Sequence, residues 1–319
     1  MKRNIVLSII ALFFCTSFVN AQTDEEKYEK KVLLEEFTTE VCPNCPAGAA
    51  LVRGLIENPD FTDRVIVATH HSGYYTDWLT TETDEALMWF YNSDYTFAPA
   101  MMFDRYPNFN DQYSHEPTPV GFVGDGYDMS KYAKRRLNKK AHVWIDITAE
   151  YDNDKTVTVH VKGDRTKVFC DTDPRIFVYI TEDNVVAKNQ AGASKGYKHS
   201  HVTRASNGNW GDQVVWNGDT YEYECKLTVE PEWNKDEMEI VAFISAFDNT
   251  DPSLCVVDNV RSIPFSATNG IEDAQMDSEA VSTEYFTIDG TKTNNLTNGM
   301  YIQKKTYSDG RQEVKKIYR

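Results

Sequence analysis

Beyond Val19 the chain has no long hydrophobic run, so the body of its 319 residues offers nothing like the roughly 20 apolar positions a membrane-spanning helix needs. Positive charge is also short. Lysine and arginine number 33 against 49 aspartates and glutamates, a formal net charge of −16. That surplus repels a phosphate-coated partner, which argues against nucleic-acid binding. Cysteines are few, 6 in all, and only Cys42 and Cys45 lie close together. Cys170, Cys225 and Cys255 are scattered in a way that suits neither a zinc ribbon nor a dense disulfide framework. The rest is ordinary: 41% apolar and 26% charged residues describe a globular chain, not a disordered or fibrous one. The length suggests two domains with a remainder.

Residues 1–21 read as a signal peptide. Met1-Lys2-Arg3-Asn4 is a short basic start, Ile5 to Val19 is apolar, and Val19-Asn20-Ala21 sets small residues before Gln22. Cys15 follows the bulky Phe14, which disfavours lipid attachment there. Export exposes the chain to oxidising compartments. Loss of Cys15 with the leader leaves an odd number of cysteines, so at least one thiol has no partner within the chain.

Three segments follow. Over 22–140 strand and helix patterns alternate: Lys31 to Thr38 is strand-like, Pro46 to Ile56 helical, Arg64 to His70 a buried strand, Asp84 to Tyr91 helical, Ala100 to Phe103 a short strand and Met129 to Lys139 a helix. Strand–helix–strand order implies parallel pairing and one compact α/β domain. Over 141–266 the period becomes two, in His142 to Ile147, Lys155 to Val161, Arg175 to Ile180, Tyr221 to Val229, Glu239 to Phe247 and Leu254 to Pro264. Strands without helices read as an antiparallel, immunoglobulin-like β-sandwich. Asn189 to Trp216 is expected to be a long ordered loop. Residues 267–283 read as a linker, and 284–319 as a small C-terminal β module of three short strands with a hairpin turn at Ser308-Asp309-Gly310. So few residues bury little core alone.

Cys42-Pro43-Asn44-Cys45 follows a strand and opens a helix, and Ala98-Pro99-Ala100 precedes another strand. On these features the first segment resembles the thioredoxin-like superfamily, which implies a cis-proline at Pro99 and a buried acid at Glu36. Val41 replaces the usual aromatic before the first cysteine, and Tyr106 to Tyr127 shows no clear final hairpin. The order of parts, with the Phe37-Thr38 to Cys45-Pro46 stretch, the sandwich and His199-Ser200-His201-Val202-Thr203-Arg204, is similar to the outer membrane protein 28-related family of Bacteroidetes. That resemblance implies an exported protein at the outer membrane or cell surface. The tail, with Gly299-Met300-Tyr301-Ile302 and a basic end, resembles the C-terminal sorting domains read by type IX secretion in the same group, which implies outer-membrane or secretion machinery as a partner.

A thiolate at a helix N-terminus is stabilised by free N–H groups and the helix dipole, so Cys42 is the expected nucleophile and Cys45 the resolving thiol. The other reading of the pair is a static staple. Strand alternation sets Leu34 and Glu36 on one face and Glu35 on the other, so Glu36 is a candidate proton acceptor for Cys45, or else a solvated glutamate. His70 and His71 end the second strand on the same rim as Cys42; they read as surface-loop histidines ahead of ligand contacts. His199 and His201 lack a third ligand by spacing, so a hydrogen-bonded loop role is expected. Among the crowded aromatics from Tyr74 to Phe97, most read as core, with Tyr74, Tyr75 and Trp78 as candidate ligand contacts. No cofactor and no metal is expected. Two functions stand: thiol–disulfide exchange on protein substrates, and a non-enzymatic surface binding or adhesion protein that uses the fold as a scaffold.

Overall fold

The computed structural model describes residues 27–73, 75–91, 97–110, 116–122, 128–152, 155–169, 173–269, 280–287, 291–293, 296, 300–307 and 312–318. The expected signal peptide with Cys15, Tyr74, Cys170, most of the expected linker and the expected Ser308-Asp309-Gly310 turn lie outside them. The chain divides into two compact units, 1–268 and 269–319.

The first unit begins with β1 (Val32–Phe37), α1 (Cys45–Ile56) and β2 (Val65–His70), a βαβ start in which β1 and β2 run parallel. Then come α2 (Glu82–Tyr91) and β3 (Ala100–Phe103), which pairs antiparallel with β1. Two short strands, β4 (Phe109–Asn110) and β5 (Pro117–Thr118), pair with each other; β6 (Gly121–Phe122) pairs with β3, and α3 (Met129–Leu137) follows. Asp128 caps α3 by accepting from Ser130 N, and three basic residues in its last turn suit the negative dipole end.

The all-strand part supplies β7 (Val143–Tyr151), β8 (Thr156–Arg165), β9 (Pro174–Glu182), β10 (Val185–Val186), β11 (Lys198–His199), β12 (Val202–Ser206), β13 (Asp212–Gln213), β14 (Trp216–Asn217), β15 (Thr220–Thr228), β16 (Met238–Ala246) and β17 (Val257–Pro264). The antiparallel sheet β14-β15-β8-β7 packs its Val, Ile and Tyr side chains against Ile176, Val178, Ile180, Ile240, Ala242 and Ile244 of β9 and β16. The alternating burial along β7 and β8 is the sequence's period of two.

The sheet does not stop at residue 140. One path runs β17-β16-β9-β12-β2-β1-β3-β6, so strands on both sides of that position share a single mixed sheet. The seam is β12, antiparallel to β9 and parallel to β2 through Val202 and Thr69. Sequence reading placed a loop there, because Val-Thr-Arg-Ala-Ser offers no apolar alternation. The far edge curls back: Val257 N donates to Asp104 O (2.9 Å) and Lys31 N to Asn259 Oδ1 (3.1 Å). Leu33, Ile66 and Ala68 thereby pack with Phe177, Tyr179, Val241 and Phe243.

A charged group sits inside this second core. The fully buried Arg105 binds Glu35 with two bonds (2.9 and 2.7 Å) and donates to Tyr179 (2.9 Å) and Tyr91 (3.2 Å). Its guanidinium lies 4.4 Å from the Phe177 ring centre and 4.9 Å from that of Phe243. Burial alone would raise the Glu35 pKa, but Arg105 and His70 outweigh it and hold it at about 2.

The second unit is an antiparallel sheet of β18 (Ala280–Thr287), β19 (Lys292–Thr293), β20 (Met300–Tyr307) and β21 (Gln312–Tyr318), in the order β19-β18-β20-β21.

Glu35→Gln strands a buried guanidinium and is expected to cost about 3–5 kcal/mol in urea unfolding. The double variant Glu35→Leu/Arg105→Met, which removes both charges, should recover most of that loss. Equal losses in the single and double variants would show that packing volume, not charge pairing, dominates.

Candidate functional site

Cys42 and Cys45 form a disulfide at the start of α1. The helix has no acidic residue in its first turn and no side-chain cap from Asn44; its first N–H groups turn back onto the chain, Cys45 N to Cys42 O (3.4 Å) and Ala47 N and Gly48 N to Asn44 O (3.1 and 3.3 Å), so what it offers a thiolate is the positive end of its dipole. Glu36 lies on the α1 face of β1. A Cβ built on Gly48, in the first turn of α1, would sit 2.6 Å from Pro99 Cβ and 3.7 Å from Glu36 Oε1. Helix, proline and acid therefore meet where only glycine fits. The Ala98–Pro99 peptide is cis.

Glu36 is buried. One of its oxygens receives Thr69 Oγ1 at 3.4 Å, and Oε1 has no hydrogen-bond partner. Burial pushes its pKa up to about 8, against smaller downward pulls from Thr69 and Arg53, so the carboxyl holds a proton at neutral pH. Beside it is a cavity of about 240 Å³ lined by Glu36, Arg53, Thr69, Tyr197, His199 and other side chains.

The helix start that carries the pair is covered: both cysteines are 1% exposed. The cover comes from the strap that joins β10 to β11. Gln190 Nε2 donates to Cys42 O (2.9 Å), and Ala191 N donates to Glu40 O (2.7 Å). The Glu40 carboxylate accepts from Lys188 N (2.8 Å), Asn189 N (3.2 Å) and Trp78 Nε1 (2.9 Å). Gly192, at φ +75°, presses so closely on Pro43 that a Cβ would lie 2.0 Å from its carbonyl oxygen. Glu40, Gln190 and Gly192 were not found by sequence reasoning. The contacts span 148 positions, and no local pattern marks them.

The histidines are not on the surface as expected; His70 and His71 are both fully buried. His70 bridges Asp84 (2.7 Å) and Glu35 (3.3 Å). Burial would lower its pKa, but these carboxylates raise it to about 9, which keeps it charged. His71 pairs with Asp77 (2.8 Å) and stacks edge-on to His199, ring centres 4.6 Å apart. Burial, then the nearby His71, push His199 down to about 3, so it is neutral. His201 pairs with Asp183 (3.3 Å). Among the described residues no group of three or more His, Cys, Asp or Glu side chains is placed to hold a metal. Trp78 is 42% exposed but tied down, bonded to Glu40 with Lys188 Nζ 4.2 Å from its ring centre. Tyr75 is 63% exposed, and Tyr74 lies outside the described residues. Cys225 is half-buried and Cys255 buried, both as free thiols.

Residues 95–266 match the model of the outer membrane protein Omp28 family, slightly more than half of the chain. The chain belongs to the outer membrane protein Omp28 family. The match takes in Pro99, the strap and the all-strand part and begins after the cysteine pair. The fold is shared with HBP35 of Porphyromonas gingivalis (TM-score 0.64, 16% identity, 92% of this chain and 99% of that one). A domain of the outer membrane lipoprotein Omp28 from the same organism is 25% identical over 39% of this chain and 87% of its own, with a TM-score of 0.26. No curated protein matches in sequence. Membership of the Omp28 family places this exported chain at the outer membrane or cell surface.

The Glu36 shift sets a pH signature in this Omp28 chain. Its pKa is higher folded than unfolded, so between about pH 4.5 and 8 the native state keeps a proton the unfolded chain has lost, and stability falls as pH rises. Glu36→Gln removes that slope. Relative to the parent it should gain a few kcal/mol, at most about 5, from pH 5 to pH 8 in urea unfolding. Parallel pH curves for the two proteins would show that Glu36 is ionised in the fold.

Proposed function

We propose that this Omp28 protein is a thiol–disulfide exchange protein of thioredoxin-like design, acting on protein substrates at the outer membrane or surface. The observation that carries this reading is the convergence of Glu36 and Pro99 on the first turn of α1, behind the Cys42–Cys45 disulfide. In the oxidised form a substrate thiolate attacks Cys42 Sγ, the Cys42–Cys45 bond breaks and a mixed disulfide forms. Cys45 leaves as a thiolate and takes the proton that Glu36 holds at neutral pH. A second substrate thiolate then attacks the substrate sulfur, releasing Cys42 and leaving the substrate oxidised by two electrons. In reverse, Cys42 attacks a substrate disulfide, Cys45 resolves it, and Glu36 receives the Cys45 proton.

A second reading has its own support. With both cysteines 1% exposed under the strap, the pair also suits a staple in a binding or adhesion protein built on the same scaffold. The two differ in reactivity. For exchange, the pair should equilibrate with glutathione at a potential near −120 to −270 mV and catalyse insulin reduction. In the reduced protein Cys42 should then alkylate faster than Cys45, and Cys45→Ser should trap a mixed disulfide. A potential below about −300 mV with no catalysis of insulin reduction favours the staple.

For residues 284–319 we propose a sorting role read by the secretion machinery, supported by the tail's own four-stranded sheet in a unit separate from 1–268. Deleting 284–319 should leave the melting temperature of the remainder within about 2 °C, because ~1 kcal/mol shifts a domain of this size by about that much. The truncated chain should stay protected from protease on intact cells. Unchanged surface exposure with a large fall in melting temperature would make the tail part of the fold instead.

A further inference from the structure

We propose that Glu40 determines which thiols reach Cys42, by latching the strap of residues 187–197 over the disulfide so that polypeptide partners gain access and small thiols do not. The biological meaning of this gate rests on the exchange reading above. The polar anchors of the strap converge on one residue and its near neighbour. The Glu40 carboxylate takes Lys188 N, Asn189 N and Trp78 Nε1; its backbone oxygen takes Ala191 N, and Gln190 reaches the carbonyl of Cys42. Beyond these anchors the strap makes its own turns, Ala193 N to Gln190 O and Tyr197 N to Ser194 O, and touches the body without further backbone hydrogen bonds, through Gly192 against Pro43, Lys188 over the Trp78 ring and the Tyr197 ring against His199, while a Cβ on Gly196 would meet nothing within 4 Å. Release at Glu40 therefore frees the segment that hides Cys42, while the β10–β11 pairing holds its ends.

The chemistry of the latch favours one kind of visitor. A carboxylate that now satisfies two backbone N–H groups can be satisfied by the N–H groups of an incoming extended chain, and buried charge is costly to leave unpaired. A polypeptide replaces what the strap supplied. A small thiol has no such donors to offer and must wait for spontaneous opening.

The test uses the full chain and dithiothreitol. A reductant thiolate breaks the Cys42–Cys45 bond and forms a mixed disulfide; its second thiol then closes dithiothreitol into a cyclic disulfide and leaves both cysteines reduced. Released thiols are trapped by alkylation and counted over time. In the parent protein the rate should level off as dithiothreitol rises, because strap opening becomes limiting. Glu40→Ala should reduce at least tenfold faster and in proportion to reductant. Glu40→Gln, which keeps one acceptor oxygen, should fall between. Gly192→Ala, which forces the strap off Pro43 without altering the cysteine segment, should behave like Glu40→Ala and decides the matter if that variant does not fold. Trypsin cleavage after Lys188 and Lys195 should quicken in the same order. A parent rate proportional to dithiothreitol throughout, unchanged in Glu40→Ala and Gly192→Ala, overturns the latch. Because the protein's own disulfide is read, inert behaviour toward insulin with gated reduction sinks the exchange reading and leaves the latch standing. Ungated reduction with catalysis of insulin reduction does the reverse.

Discussion

The guanidinium of Arg105 cannot be buried without partners, and its partners come from both halves of the first unit. Glu35 neutralises it from β1, Tyr91 from α2 and Tyr179 from β9 bind its N–H groups, and Phe177 and Phe243 close over its faces. A buried ion missing one partner costs several kcal/mol, a large part of the net stability of any domain. The pairing therefore ties the βαβ start to the all-strand part, and the mixed sheet across β12 is its geometric counterpart. A chain that had only one of these segments would carry either an orphaned charge or an open sheet edge.

The same strand sets two carboxylates to opposite tasks. Successive side chains on a strand point to opposite faces. Glu35 therefore enters the core with Arg105 and is held at about 2, while Glu36 turns to α1, finds no cation in contact and is raised to about 8. One residue of register separates an ion that organises the fold from a neutral acid beside the disulfide. A one-residue slip of β1 would exchange them and lose both.

Much of this was visible in the sequence. The βαβ start, the helix opening at the cysteine pair, the proline before β3 and the long strands of the second segment all follow from local periodicity and turn residues. The alternation in Leu34-Glu35-Glu36 placed each glutamate on its correct face. What escaped was non-local. The Val202–Ser206 strand carries little apolar signal, because it sits at a seam whose stability comes from neighbours on both sides. His70 and His71 looked like rim residues because sequence position cannot reveal the carboxylates that would bury and satisfy them. Val185–His199 folds back as a hairpin over the cysteines through contacts made mainly by backbone atoms, which leave no mark on residue type.

The strap lies far downstream of the cysteines it covers, and that order has a consequence for how the protein is made. As the chain emerges end first, Cys42 and Cys45 are present well before Lys188 to His199 exist to shelter them. During that interval the two thiols meet whatever oxidants and reductants the export route holds. Once the hairpin forms, the state reached by then is enclosed. The cover is thus a property of the finished fold, and the emerging cysteine segment lacks it.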